Sequence, residues 1–269
     1  MKFFEKLEEM QKKNNSLVCV GLDIDLAKTP EIIKREDDPV FFFNKAIIDA
    51  TKDLVGCYKP QMAFYEAIGL DGLESLKKIV DYIHTLNIPV IIDAKRNDIG
   101  NTAAAYAKAM FENFGFDAMT VNPYMGGDSV TPFLEYQDKG IFVLARTSNP
   151  GGADFQSLDC EGMPLYQRVV EKVKEWNANK NAGLVVGATV PDELKTVREM
   201  VPDMTFLIPG IGAQGGGVES TIKNGVRKDS FGAVINSSRG IIFASNGEDF
   251  AEAARKATIE LRDEINKYR

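Results

Sequence analysis

The chain has 269 residues, of which 44% are hydrophobic and 26% are charged, so disordered and fibrous architectures are excluded. Its 32 Lys and Arg residues are outnumbered by 39 Asp and Glu residues, and the net charge of −7 argues against a basic surface for nucleic acid or for a membrane. No apolar run approaches the roughly 18 residues of a membrane span. Because residues 1–16 are also too charged for a secretory signal, we expect a cytoplasmic protein.

Short runs rich in Val and Ile alternate with longer segments of helical periodicity along the whole chain. The short runs are nearly continuous in apolar character, as expected of strands buried on both faces. The predicted strands are 17–23, 55–59, 89–95, 118–122, 141–146, 183–188, 205–208 and 233–236. The predicted helices include 3–13, 39–53, 71–86, 102–113, 164–177, 191–200 and 248–267.

Eight strands, each followed by a helix within about 250 residues, indicate a (β/α)8 TIM barrel. No linker rich in Pro, Gly or Ser divides the chain, so we expect one domain over residues 1–269, with the opening helix outside the barrel count. A doubly wound open sheet is the alternative. It usually needs fewer strands and a glycine-rich turn after the first strand, where this chain has only Gly21-Leu22-Asp23.

Polar residues stand where several apolar runs stop. In barrels of this kind the active site lies at the carboxyl ends of the strands, so these residues are expected on one rim. They are Asp23, Lys59, Asp93, Lys95, Asn122, Arg146 and the turn 236–239.

The segment DAKRNDIGNT is the most informative of these strand ends. Asp93 and Lys95 are two positions apart on a predicted strand, which points both side chains the same way. Lys59 adds a second cation. Like charges 4 Å apart repel by roughly 4 kcal/mol at an effective dielectric constant near 20, so positive and negative side chains must alternate. Such an array holds lysine ammonium groups ready to donate a proton. A strand-end salt bridge beside a solvated Asp98 is the alternative.

Two loops in the last quarter of the chain are predicted to bind a phosphate. Residues 208–217 hold five glycines, whose backbone N–H groups can approach an anion closely. After the last strand, Arg239 can donate two hydrogen bonds to one phosphate, and Gly240 frees the backbone beside it. The loops after strands seven and eight are the usual phosphate site of this fold. A merely flexible turn is the alternative for the glycine-rich loop.

A long connection begins with ARTSNPGGADFQ at Ala145, and its length suggests a lid. Ser148 at its base could hydrogen-bond a ligand, although Ser-Asn-Pro-Gly is equally good turn chemistry. The three cysteines are far apart and His84 is the only histidine, so we predict neither a disulfide framework nor a Cys or His metal site.

Together these segments resemble the orotidine 5′-monophosphate decarboxylase family, in the bacterial form called type 2. The resemblance implies a (β/α)8 barrel that converts orotidine 5′-monophosphate (OMP) to UMP and CO2 without metal or cofactor. It also implies a homodimer whose sites are shared across the interface, with no nucleic-acid or membrane partner. The motifs that carry it are GLD at Gly21, YKP at Tyr58, DAKRNDIGNT at Asp93, TVNPYMGGD at Thr120, ARTSNPG at Ala145, PGIGAQGG at Pro209 and SSRGI at Ser237.

The resemblance further implies roles for individual residues. Lys95 would protonate C6 of the pyrimidine after CO2 leaves, Asp93 would lie beside the substrate carboxylate, and Lys59 would contact the ribose and Asp93. Asp98 and Thr102 would reach into the neighbouring subunit's site. The other implied substrate contacts are Asp23 at a ribose hydroxyl, Ser148 at the pyrimidine amide, and Gln214, Gly215, Arg239 and Gly240 at the phosphate, with Gln214 also meeting Ser148.

Three other functions stay open at this point. A different phosphosugar enzyme on the same barrel would use a magnesium ion held by acidic side chains, so EDTA would inhibit it. A catalytically silent nucleotide-binding barrel would bind UMP and turn nothing over. A Schiff-base enzyme is disfavoured, because flanking carboxylates keep Lys59 and Lys95 protonated whereas that chemistry needs a neutral amine.

Overall fold

Every run predicted as a strand is a strand in the computed structural model, which describes residues 1–211 and 215–269. The eight strands of the described residues form one parallel sheet in the order β2-β1-β8-β7-β6-β5-β4-β3. Their bounds are β1 Val18–Gly21, β2 Cys57–Lys59, β3 Ile91–Arg96, β4 Ala118–Val121, β5 Gly140–Arg146, β6 Ala182–Val186, β7 Phe206–Ile208 and β8 Ala233–Ser237.

The two ends of this sheet meet and close the barrel. The Tyr58 N–H donates to the Pro89 carbonyl at 3.1 Å, and the Asp93 N–H donates to the Pro60 carbonyl at 3.0 Å. These hydrogen bonds join β2 to β3, so the sheet has no long unpaired edge. The predicted (β/α)8 barrel is confirmed.

Helices cover the outside of the barrel between successive strands. Their bounds in the described residues are α1 Phe3–Lys13, α2 Pro39–Thr51, α3 Met62–Ile68, α4 Leu70–Thr85, α5 Gly100–Lys108, α6 Gly127–Leu134, α7 Ala153–Gln156, α8 Leu165–Trp176, α9 Pro191–Met200, α10 Val218–Gly225, α11 Arg239–Ile242 and α12 Phe250–Asn266. Helix α5 continues as a π-helical turn over Ala109–Asn113, and short 3-10 turns lie at Leu26–Lys28, Ile33–Arg35 and Pro150–Gly152.

None of the helices named from the sequence corresponds to α3, α6, α7, α10 or α11. Helix α3 follows β2 after only two residues, and Gly69 at φ +91° separates it from α4, which alone corresponds to the predicted helix 71–86. Helix α6 contains Pro132, which normally argues against a helix interior. No helix of the described residues is long and apolar enough to cross a membrane.

Helix α1 closes the amino end of the barrel. Phe3 and Leu7 are buried there, and the Phe3 ring packs edge-on against Phe142 with 6.0 Å between centroids. Gly140 makes room for this ring, since a Cβ there would lie 2.2 Å from the Phe3 side chain. Among the described residues, α1 therefore covers the amino end of the barrel, and the cavity lies at the carboxyl end.

The barrel interior is layered, and the layering positions the candidate site. An apolar layer includes Cys19, Cys57, Ile91, Ala118, Phe142 and Val234, all of them buried. Inward-facing positions recur every second residue of a strand, so the next layer follows two residues later. That next layer includes Lys59, Asp93, Thr120, Leu144 and Asn236, which line a cavity at the open end.

Candidate active site

A cavity of about 500 Å³ opens among the carboxyl ends of the strands. Its volume lies in the range usual for a small-molecule site. Seven of the predicted site residues line it: Asp23, Lys59, Asp93, Lys95, Ser148, Arg239 and Gly240. Its apolar wall includes Phe64, Leu144, Val185, Leu207, Pro209 and Ile211.

Charges of opposite sign alternate along the floor of this cavity. Lys59 Nζ lies 3.8 Å from Asp23 Oδ1 and 3.4 Å from Asp93 Oδ2. Lys95 Nζ donates to the other oxygen of Asp93 at 2.6 Å. Asp23, Lys59, Asp93 and Lys95 therefore form one chain of ion pairs.

The chain of ion pairs keeps its buried members ionised. Burial alone would lower the pKa of Lys59, but the carboxylates of Asp23 and Asp93 outweigh burial and raise that pKa above its ordinary value. Burial alone would raise the pKa of Asp93, but Lys59 and Lys95 outweigh it and lower that pKa to about 2. At neutral pH, Asp93 is an anion that can only accept hydrogen bonds.

The Lys95 backbone departs from regular strand geometry. Its φ is +48°, and the register of β3 against β4 shifts between Ile92 and Arg96. Positive φ is uncommon and strained for a residue with a side chain. Lys95 and Asp93 do meet as predicted, yet strand alternation alone is not the reason, because the bulge also aims the lysine.

Two polar side chains that the sequence did not predict hold this carboxylate. Thr120 Oγ1 donates to Asp93 Oδ1 at 2.8 Å and accepts from the Lys95 N–H at 3.0 Å. Gln61 Nε2 donates to Asp93 Oδ2 at 3.1 Å. The signal for Thr120 was a lone hydroxyl near the end of an apolar strand.

Asp23 and Asn236 each hold a buried acceptor oxygen beside the cavity. Asp23 Oδ2 accepts from Ser238 Oγ at 2.6 Å, whereas Asp23 Oδ1 is buried without a hydrogen-bond partner among the described residues. Asn236 Oδ1 is in the same state. Two such atoms beside a cavity suit a ligand that brings hydroxyl donors.

The described parts of the predicted phosphate loops follow β7 and β8. Arg239 and Gly240 open α11, and Arg239 is exposed and makes no ion pair with the described residues. The Gly216 N–H donates to the Gly210 carbonyl at 3.1 Å, and a Cβ on Gly216 would lie 2.7 Å from the Ala188 Cβ. Gly215 has φ +88° with open space around it. Gln214 lies outside the described residues.

Besides Gly215, four of the named rim and site residues in the described part of the chain do not line the cavity. Asn122 accepts from the Tyr124 N–H at 3.0 Å, and the side chain of Arg146 is buried against Glu193 behind the rim. Asp98 and Thr102 are not in the cavity lining either, and Thr102 is exposed. The role expected for these last two, in a neighbouring subunit, stays a prediction.

No group of three or more His, Cys, Asp or Glu side chains that could hold a metal ion occurs in the part of the chain that is described. Cys19 and Cys57 are buried in the barrel, and Cys160 is half-buried. His84 is half-buried on α4, 3.1 Å from Asp117 Oδ2.

The chain is similar to known proteins over its whole length. The model of the orotidine 5′-phosphate decarboxylase / HUMPS family matches residues 16–256. Orotidine 5′-phosphate decarboxylase of Cellvibrio japonicus (strain Ueda107) is 50% identical over 274 residues, which cover 100% of both chains. The solved structure of Leishmania donovani OMP decarboxylase is 39% identical with a TM-score of 0.86, covering 100% of this chain and 98% of that one. Leishmania donovani UMP synthase is 41% identical with a TM-score of 0.89, and this chain spans only 56% of its length.

Proposed function

The chain belongs to the orotidine 5′-phosphate decarboxylase / HUMPS family, and from this premise we propose that it converts OMP to UMP and CO2. The observation that carries the proposal is the alternating array of Asp23, Lys59, Asp93 and Lys95 at the floor of the cavity. The family resemblance noted in the sequence motifs is confirmed.

The reaction breaks the bond between C6 of the pyrimidine and its carboxylate. The electron pair stays on C6 as a vinyl carbanion that no ring carbonyl can delocalise well. The Lys95 ammonium is already in place when the bond breaks, so it stabilises the negative charge as that charge develops on C6. It then transfers a proton from Nζ to C6. CO2 leaves as the neutral product, so no cofactor needs to accept electrons.

Asp93 acts on the carboxylate that departs. With its pKa lowered to about 2, Asp93 is ionised when the substrate binds, and its charge faces the substrate carboxylate. The repulsion disappears as CO2 forms, which favours the transition state over the bound substrate. Lys59 and Thr120 prevent Asp93 from turning away, since each contacts one of its oxygens.

The rest of the nucleotide supplies binding energy. We assign Asp23 Oδ1 to a ribose hydroxyl, Ser148 to the pyrimidine amide, and Arg239, Gly240, Gly215 and Gln214 to the phosphate. Energy from groups remote from C6 can be used to close the site and so raises turnover as well as affinity.

We also propose that two copies of the chain share their sites. Asp98 lies in the loop after β3, beside the exposed Ile99, and the loop after the neighbouring β4 exposes Tyr124 and Met125. Ile99, Tyr124 and Met125 are 52%, 84% and 46% exposed, and a second copy would cover this apolar surface. In such a dimer Asp98 and Thr102 enter the partner's cavity.

The domain organisation and cellular location of the enzyme follow from the same reasoning. We propose that residues 1–269 act as one catalytic domain in the cytoplasm, with no nucleic-acid partner, in keeping with the net charge of −7.

The test is the ultraviolet absorbance of OMP incubated with the purified protein, with and without EDTA, beside a Lys95→Ala variant. Conversion to UMP that is insensitive to EDTA and is lost in the Lys95→Ala variant supports the proposal. Conversion to UMP that EDTA abolishes would contradict the metal-free mechanism, and EDTA-sensitive activity on another phosphosugar without conversion of OMP would favour a metal-dependent phosphosugar enzyme. UMP binding by calorimetry without any turnover would instead identify a silent nucleotide-binding barrel.

The shared site has its own test. Lys95→Ala and Asp98→Ala subunits are each expected to be inactive, but a dimer containing one of each has one site with both native residues. Activity that appears when the two inactive variants are mixed supports sharing across the interface. Mixed dimers that stay inactive contradict it.

A further inference from the structure

The connection after β5 is tied down at its base rather than free. Gln156, at the end of α7, folds back onto Thr147, which immediately follows β5. Gln156 Oε1 accepts from the Thr147 N–H at 2.9 Å, and Gln156 Nε2 donates to Thr147 Oγ1 at 2.9 Å. One side chain thus satisfies both the backbone and the hydroxyl of Thr147.

A buried arginine secures this contact from behind. The Arg146 side chain is only 8% exposed, and its Nη1 donates to Gln156 Oε1 at 3.3 Å and to the Thr147 carbonyl at 3.0 Å. Its Nε pairs with Glu193 in the first turn of α9. We call Arg146, Thr147, Gln156 and Glu193 the Gln156 clamp.

Gly152 packs against the clamp without room for a side chain. A Cβ at this position would lie 2.7 Å from Arg146 Nη1, 2.9 Å from Thr147 Oγ1 and 3.0 Å from Gln156 Oε1. The loop therefore returns over the clamp at close range and shields its hydrogen bonds from water.

The residue after Thr147 is held from the opposite side as well. Thr189 Oγ1 donates to the Ser148 carbonyl at 2.9 Å. A Cβ on Gly187 would lie 2.7 Å from the Ser148 Cα and 2.8 Å from its nitrogen, so the backbone of Ser148 rests directly on that glycine. Ser148 is confined between the Gln156 clamp and the end of β6.

We propose that Gln156 is a positioning residue that sets Ser148 for the pyrimidine through the Gln156 clamp. The inference rests on the proposed function, because the base contact of Ser148 belongs to it. Gln156 does not line the cavity, and of the clamp only Thr147 does. Any effect of Gln156 on a bound nucleotide must therefore pass through residues that do line the cavity, which near the clamp are Thr147, Ser148 and Asn149.

Amide hydrogen exchange tests the clamp independently of catalysis. In Gln156→Ala the Thr147 N–H loses its acceptor, and we expect its exchange to be at least tenfold faster. Gln156→Glu keeps an acceptor at the same reach, and the Thr147 hydroxyl can turn to donate, so it should restore protection. Phe155→Ala, on the same short helix with Phe155 63% exposed, is the matched control and should leave exchange unchanged. Unchanged exchange in Gln156→Ala would overturn the proposal.

Ligand affinity separates positioning from general loosening of the loop. We expect Gln156→Ala to weaken UMP binding and kcat/KM by roughly 10- to 100-fold, as for a misplaced binding group. Binding of ribose 5-phosphate, which has no base, should change less than twofold. The loss should also shrink when Ser148 is already alanine, whereas equal losses in both backgrounds, or equal weakening of both ligands, would contradict a role through Ser148.

These measurements distinguish a failure of the Gln156 clamp from a failure of the proposed reaction. A wild-type protein that binds UMP but does not decarboxylate OMP would defeat the proposed reaction alone, and the UMP and exchange data would still decide the clamp. A wild-type protein with full activity whose Gln156→Ala variant matches Phe155→Ala would defeat the clamp alone.

Discussion

Lys95 Nζ lies 2.6 Å from Asp93 Oδ1, although the Lys95 backbone is in the left-handed region at φ +48°. A strained residue persists only where its surroundings determine it. Here the Thr120 hydroxyl accepts from the Lys95 N–H and donates to Asp93 Oδ1, so it joins the backbone of one residue to the side chain of the other. Thr120 therefore controls the geometry of the pair.

The first prediction is that Thr120→Val lowers kcat about tenfold while UMP affinity changes little. Valine fills the same volume but leaves the Lys95 N–H without its acceptor and Asp93 with one donor fewer, a loss on the order of 1–2 kcal/mol. Steady-state kinetics and UMP calorimetry measure the two effects. Thr120→Ser keeps the hydroxyl and should stay near wild type, and a valine variant with unchanged kcat would contradict this account.

The second prediction concerns acid stability. The pKa of Asp93 is about 2 in the folded protein and 3.8 ordinarily, so its ion pairs stabilise the fold above about pH 4 and the stability is lost as the pH falls toward 2. The shift corresponds to about 2 kcal/mol of free energy of unfolding. Urea unfolding from about pH 6 down to pH 3 measures roughly the first half of this loss.

The control for the acid prediction is Asp93→Asn. This variant should be less stable than wild type near pH 7, because Lys59 then keeps only Asp23 as a buried partner. Its free energy of unfolding should fall less steeply with acid. The other carboxylates titrate in both proteins, whereas Asp93 titrates only in the wild type. Parallel pH profiles for the two proteins would show that Asp93 is not held ionised by its neighbours.

The sequence predicted the barrel and most of the cavity lining because both depend on local patterns. Apolar runs mark strands buried on both faces, and the residues where they stop lie on one rim. It did not predict the departure of Lys95 from strand geometry, because a bulge depends on the register between two strands. Arg146 was predicted on the rim because it ends an apolar run. Its side chain instead turns outward to Glu193, a partner 47 positions away that no local pattern reveals.

The third prediction concerns the thiols. Cys19 and Cys57 are fully buried in the interior layer that α1 closes, and burial raises the pKa of Cys57 well above its ordinary value. Cys160 is the half-buried one. We expect the thiol reagent DTNB to modify one cysteine quickly in the native protein and all three after unfolding. Cys160→Ser should remove the fast reaction, and two fast thiols would show that the amino end of the barrel opens.

The fourth prediction tests the close approach of β1 to the turn after β8. A Cβ on Gly21 would lie 1.8 Å from Ser238 Oγ and 2.9 Å from Ser238 Cβ, so Gly21→Ala must displace Ser238 from its 2.6 Å hydrogen bond to Asp23. We expect a lower melting temperature and UMP affinity reduced about tenfold, the usual loss for a hydrogen bond to a charged group. Differential scanning calorimetry measures the melting temperature, and UMP titration measures the affinity.

Combining Gly21→Ala with Ser238→Gly removes the overlapping atoms. The double variant should therefore regain most of the lost stability, while its UMP affinity stays as low as in Ser238→Gly alone. If the double variant melts no higher than Gly21→Ala, the overlap with Ser238 is not the cause of the loss.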